Sequence, residues 1–227
     1  MSTRTLTTIL PSDTLYVSGT VNGVTTTWTN TVGQTWQTVA ERSDTDVYVV
    51  ALTIINSLGA ASSTQFTLYY GLHLVTDRTR ADVTYVQTLA EKIKNGTATE
   101  DELAEWNASG LKGSYNASDL NRVGAAMQYV ADRLVEFGYA VSIDPKLDWT
   151  SSDWPTPETM GTYLADLAEL RSKFAMMQTT PTVPEDMEKL TYTEANNIEK
   201  ILEDIDYLLT NTVKGWFYSG DVFSGEV

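Results

Sequence analysis

The chain has 227 residues, with 15 basic against 30 acidic side chains and a net charge of −15. Charge of that sign excludes a surface for duplex nucleic acid, which needs clustered Lys and Arg, and disfavours anionic membranes. With no cysteine and one histidine, His73, disulfides, thiol catalysis, Cys-based zinc or iron–sulfur sites and a His-rich metal cage within one chain are excluded as well.

Hydrophobic residues make up 42% of the chain, enough for a packed core. No run of about 18 uncharged apolar residues marks a transmembrane helix. The first thirty residues are rich in Thr and Ser, and lack the basic start and apolar run of a signal peptide. The charge is uneven. Residues 1–71 have a net charge of −2 and residues 72–227 one of −13, a change that marks a domain boundary.

Residues 1–71 contain 17 threonines and read as strands, because a β-branched side chain suits a half-exposed pleated surface. The pattern predicts strands over Thr5–Ile9, Thr14–Ser18, Thr25–Asn30, Gln34–Ala40, Val47–Ile55 and Ser63–Tyr70. Asn22-Gly23, Gly33 and Leu58-Gly59 supply turns that accept positive φ. Short strands at this spacing argue for an antiparallel sandwich. The run Asp44-Thr45-Asp46-Val47-Tyr48-Val49-Val50 resembles the entry to strand F of immunoglobulin-like domains. In those, a corner tyrosine bonds upstream backbone and a core residue follows two positions later, here Val50. Asn56–Gly59 then reads as the F–G turn. Trp28 and Trp36 are candidates for the core tryptophan.

From about residue 76 the apolar period becomes helical. Asp82–Ile93 places Val83, Val86, Leu89 or Ala90, and Ile93 on one face, and Asn95-Gly96 stops it. Thr99 and Glu102 form a capping box for a short helix with Leu103 and Trp106. Ser118 and Asp119 open a helix striped by Leu120, Val123, Met127, Val130, Leu134 and Phe137, ended by Gly138. Tyr139–Ile143 alternates and predicts a short strand. Asp144–Trp154 reads as a loop. Thr156-Pro157 starts a helix with Met160, Tyr163, Leu167, Leu170, Phe174 and Met177 on one face. Pro184–Leu190 predicts a single helical turn. Thr191 and Glu194 cap a last helix with Ile198, Ile201, Leu202, Ile205, Leu208 and Leu209. Trp216–Val227 reads as extended.

Candidate sites are few. His73 lacks a nucleophile-elbow serine, so packing or hydrogen bonding at the domain junction is its expected role. No Walker A or dinucleotide glycine pattern exists, and Gly110-Leu111-Lys112-Gly113 reads as a loop. No catalytic residue, metal ligand set or cofactor is expected. Asp148, Trp149, Asp153 and Trp154 share one acidic aromatic loop and form the candidate sugar site, although such charge runs are commonly solvated faces. Trp216, Phe217, Tyr218 and Phe223 form the candidate assembly interface, because large aromatics cluster there beyond the last apolar stripe.

Several phrases carry a resemblance as a set. They are Val75-Thr76-Asp77-Arg78-Thr79 with Asp82-Val83, and Gly110-Leu111-Lys112-Gly113-Ser114-Tyr115-Asn116 with Asp119-Leu120-Asn121-Arg122-Val123. Further on come Tyr129-Val130-Ala131, Trp154-Pro155-Thr156, Tyr192–Glu199 and Gly215–Asp221. Residues 75–227 resemble virion proteins of the tail and baseplate region in phages and prophages of Gram-positive gut bacteria. The resemblance implies a structural role in the virion and carries no catalytic residues.

The expectation is thus an α+β chain of two domains. An immunoglobulin-like antiparallel β-sandwich over 1–72 leads into a mostly helical bundle over 73–213, with an extended aromatic tail over 214–227. The function expected is non-enzymatic, in assembly at a phage tail or baseplate, with copies of itself or other virion proteins as partners. The alternative is a carbohydrate-binding adhesin for host cell-wall sugars. Neither nucleic acid nor membrane is an expected partner.

Overall fold

In a computed structural model of the chain, residues 3–43, 46–108 and 110–220 are described, the side chains of 213–220 excepted. The chain divides after Tyr70 into two compact units. The first is all β. The second holds five helices among the described residues.

The β unit contains β1 (Thr3–Ile9), β2 (Thr14–Val21), β3 (Val24–Thr27), β4 (Thr29–Val32), β5 (Thr35–Glu41), β6 (Val47–Asn56) and β7 (Ala61–Tyr69). They form two antiparallel sheets, ordered β1-β5-β4 and β3-β2-β6-β7. Strand periodicity sets the inner faces. On β6, Tyr48, Val50, Leu52 and Ile54 are buried while Val49 faces out, as alternation requires. These residues share one core with Leu6 of β1, Val17 and Val21 of β2, and Trp36 and Ala40 of β5.

The single strand expected over Thr25–Asn30 is two strands. Trp28 lies between them and is buried. Before it the chain pairs with β2, and after it with β5. A strand that crosses between packed sheets has to leave the first ladder at the corner, and the indole fills the core at that crossing. A run of threonines has no period that marks such a crossing.

Tyr48 is fully buried, and its hydroxyl accepts the Ser43 amide at 3.1 Å. Its ring stands edge-on to Tyr70. Asp44, which belongs to the same expected pattern, lies outside the described residues. Replacing Tyr48 by Phe keeps the packing and removes the bond from the Ser43 amide together with the long one donated to Asp46. Urea unfolding is expected to show a loss of about 1 kcal/mol, and an unchanged midpoint would contradict the role.

The helical unit contains α1 (Arg80–Lys94), α2 (Glu100–Asn107), α3 (Ala117–Glu136), α4 (Pro157–Ser172) and α5 (Tyr192–Gly220). Reciprocal caps begin α1 to α4, pairing Thr79 with Asp82, Thr99 with Glu102, Asn116 with Asp119 and Thr156 with Thr159. At α5, Glu194 accepts the Thr191 amide and the Thr191 hydroxyl accepts the Glu194 amide. Each pair satisfies amides that the first helical turn leaves without partners. Helices α3, α4 and α5 enclose one core around Met127, Val130, Leu134, Leu167, Leu170, Ile201 and Ile205. Helices α1 and α2 pack on each other. On α1 only Leu89 is buried, and on α2 no residue is.

Three expected elements differ. Tyr139–Ile143 forms no strand. Among the described residues this unit offers no strand to pair with it, and its apolar side chains go to the bundle, with Val141 and Ile143 against the core and Tyr139 against Phe174. Pro184–Leu190 forms no helical turn; Asp186 instead accepts the Glu188 amide in a local turn. The chain is helical, not extended, over 214–220, because α5 continues through Trp216, Phe217 and Tyr218 to Gly220. Gly215 costs a helix only about 1 kcal/mol, and no proline interrupts the run. Phe223 and the rest of 221–227 lie outside the described residues.

Candidate functional site

The polar centre of the helical unit is a buried ion cluster at the end of α3 and α5. Glu199 on α5 is fully buried. Its Oε1 meets Arg122 Nη2 at 2.9 Å and Arg78 Nη1 at 2.8 Å. Its Oε2 accepts Arg122 Nη1 at 2.6 Å and the Val75 amide at 2.5 Å. Asp119 uses one oxygen to cap its own helix, accepting the Asn116 amide. The other oxygen accepts Arg122 Nη2 at 2.9 Å and Arg78 Nη2 at 3.2 Å. Two guanidinium groups thus face two carboxylates.

The cluster also grips a non-helical strap, residues 72–79. Asn196, one turn before Glu199, accepts the Arg78 amide and donates to the Arg78 carbonyl, both at 3.0 Å. Arg122 donates to the His73 carbonyl, and Arg78 Nη1 to the Val75 carbonyl at 2.6 Å. Leu72 and Leu74 pack on the helical core. His73 thus contributes its carbonyl to the cluster.

Electrostatics fix the charge states. Burial works against the Arg122 charge, but the hydrogen bonds and charges of Glu199 and Asp119 outweigh it and hold the guanidinium protonated above its usual range. Tyr115 lies beneath Arg78, and its hydroxyl bonds that of Tyr163 at 2.8 Å. Burial, reinforced by the nearby Glu199 charge, pushes both phenols up. A phenol whose folded pKa is raised supports the fold below its unfolded value of about 10 and loses that support as pH rises toward the folded value. The helical unit is therefore expected to hold its stability to about pH 9 and lose it above about pH 10. Denaturation midpoints that stay flat through that range would contradict the burial of the pair.

Chemically, this arrangement binds and orients the chain itself. Arginine side chains do not act as bases at ordinary pH, and both oxygens of Glu199 are taken by four donors.

The loop Gly110–Asn116 supports the same region. A Cβ on Gly113 would lie 2.1 Å from the Asp82 carbonyl oxygen on α1. Ser114 donates to the Leu111 carbonyl, and Asn116 caps α3. The glycine is there because two backbones approach closely. Gly113→Ala is expected to destabilise the helical unit by about 1–3 kcal/mol through overpacking, read as a lower urea midpoint. No loss would contradict that approach.

The acidic aromatic loop comes apart as a site. Trp149 is buried in the helical core. Its amide donates to Asn121 Oδ1 at 2.7 Å and its carbonyl accepts Asn121 Nδ2 at 2.9 Å. Asp153 accepts the Thr150 amide and hydroxyl, bonds that lower its pKa. Asp148 pairs with Lys146 at the surface. Trp154 is open, 87% exposed. The two tryptophans do not share a face. Of the candidate assembly residues, Trp216, Phe217 and Tyr218 are placed on the helical backbone of α5.

Elsewhere, an open groove of about 490 Å³ is lined by Val135, Tyr139, Val141, Glu169 and Lys173 among others. Asp166 on α4 is buried, with one carboxylate oxygen unpartnered. Burial raises its pKa, the Asp144 charge adds to the rise, and the Asp144 amide opposes it. Among the described residues, no group of three or more His, Asp or Glu is placed to hold a metal, and no helix is long and apolar enough to cross a membrane.

Neither family models, nor curated proteins, nor solved structures show a match to this chain.

Proposed function

We propose that this chain is a non-enzymatic structural protein of a phage virion, from the tail or baseplate region, acting by assembly. The observation that carries the reading is the ion cluster. The phrases that resemble virion proteins supply its members: Arg78, Tyr115, Asp119, Arg122, Asn196 and Glu199. Their roles are structural, since every carboxylate there locks a helix or the strap.

The β unit is read as immunoglobulin-like. The sheets β1-β5-β4 and β3-β2-β6-β7 correspond to strands B-E-D and C′-C-F-G of that architecture, with no counterpart of strand A among the described residues. Tyr48 begins the strand F counterpart, with its hydroxyl bonded to upstream backbone, and Val50 is buried where antibody domains place their second cysteine. Trp28 and Trp36 are core residues, but neither lies on the strand C counterpart.

The test is proteomics of density-gradient-purified phage particles. The chain is expected at a fixed ratio to the other virion proteins through successive gradients. Its loss from the particle fraction would overturn the reading.

One observation favours a second reading, a glycan-binding adhesin. Trp154 offers a fully open aromatic face, which is what sugar stacking requires. Binding of the full chain to host cell-wall polysaccharide that Trp154→Ala abolishes would support it.

A further inference from the structure

We propose that the outer edge of β7 is the surface through which two copies of this chain pair, strand to strand. This deepens the assembly reading and rests on it.

The two sheets have four edge strands: β1, β4, β3 and β7. An edge exposes unpaired amides and carbonyls and invites another strand unless it is blunted. Strands β3 and β4 are four residues each, and the pairing of β4 is irregular between Asn30 and Val32. Strand β1 is guarded. Arg4 lies over the Tyr70 ring at 4.4 Å and pairs with Asp46, and the Thr7 amide bonds the Tyr70 hydroxyl.

Among the described residues, strand β7 shows none of these devices along Ala61–Thr67. It is nine residues long and pairs with β6 without a register shift. It contains no proline and no charge, and Ala61–Gln65 are exposed. The hydrogen bonds at the two ends of the ladder fix which groups are free. Asn56 donates to the Ala60 carbonyl and Tyr70 to the Asp46 carbonyl, each at 3.0 Å. In an antiparallel ladder such pairs recur every second residue. The even-numbered residues therefore bond β6, and Ala61, Ser63, Gln65 and Thr67 direct their backbone groups outward.

The occupant is a second copy for two reasons. An antiparallel edge is self-complementary about a two-fold axis, so one strand serves both partners. Charge points the same way. Residues 72–227 have a net charge of −13 and repel their like, whereas residues 1–71 have only −2 and β7 is neutral. Pairing through β7 uses the less charged of the two units.

The test uses the full chain in sedimentation velocity at high micromolar concentration. Wild type is expected to be a dimer. Ser63→Pro removes an outward amide and leaves the bonds to β6 in place, as proline permits on an edge. It is expected to weaken dimerisation by about tenfold or more, with circular dichroism and urea midpoint unchanged. Gln65→Lys places like charges across the seam and is expected to act in the same direction. A monomeric wild type would overturn the proposal. A dimer that survives both variants would overturn the edge assignment while leaving an assembling protein. Protection of the Ser63 and Gln65 amides from exchange in particles but not in the isolated chain would give the edge to a different virion protein and also overturn it.

Discussion

Replacing Glu199 by leucine is expected to cost the helical unit about 3–5 kcal/mol. The carboxylate is fully buried and receives Arg78, Arg122 and the Val75 amide. Its removal leaves two guanidinium groups with Asp119 as their one remaining carboxylate in the cluster, and strands an amide of the strap. The penalty is that of charge left without a partner away from water, which exceeds the net worth of the intact pair. Glu199→Gln keeps the shape and part of the bonding, so its loss is expected to be smaller. Urea unfolding followed by the helical circular dichroism signal measures both. A loss below about 1 kcal/mol for the leucine variant, the size of a surface ion pair, would show that the cluster is solvated.

The second large effect separates the two tryptophans of the acidic loop. Trp149→Ala is expected to cost about 3–5 kcal/mol, the range for deleting a buried indole. Its ring belongs to the core of α3, α4 and α5, and its backbone is clasped by Asn121. Trp154→Ala is expected to change stability by less than about 0.5 kcal/mol, because the side chain contacts mainly water. Equal effects would contradict this division. The glycan reading uses Trp154 alone, so its binding test is free of any folding defect.

The elements legible in the sequence are those whose signal is periodic or local. The stripes Leu120–Leu134 and Ile198–Leu209 give α3 and α5, because core-facing positions on a helix recur every three or four residues. Thr99 with Glu102, and Thr191 with Glu194, mark two helix starts through bonds spanning three residues. Signals that depend on a distant partner are not legible. Alternation over Tyr139–Ile143 predicts a strand, but a strand needs a neighbour and the described residues of this unit supply none. Trp216–Val227 reads as extended because the apolar stripe stops before it, but α5 runs on to Gly220.

The ion cluster is less legible still. Its members come from the strap, α3 and α5, and no local pattern joins them. One signal was present. Glu199 sits beside Ile198 and Leu202, within an apolar stripe, and a charge at such a position requires a partner. Asp119 and Arg122 are spaced three apart on α3, as are Asn196 and Glu199 on α5, so each pair shares a face.

The central claim is that these residues lock the strap to the helices rather than react. Native-state amide exchange at Val75 and Arg78 tests it directly, since Glu199 and Asn196 accept those two amides. Both amides belong to a segment without helix or strand, so protection there has no source in secondary structure. The account predicts protection close to that of the α5 core amides, lost in Glu199→Leu. Exchange at the rate of an unstructured chain in the wild type would contradict it.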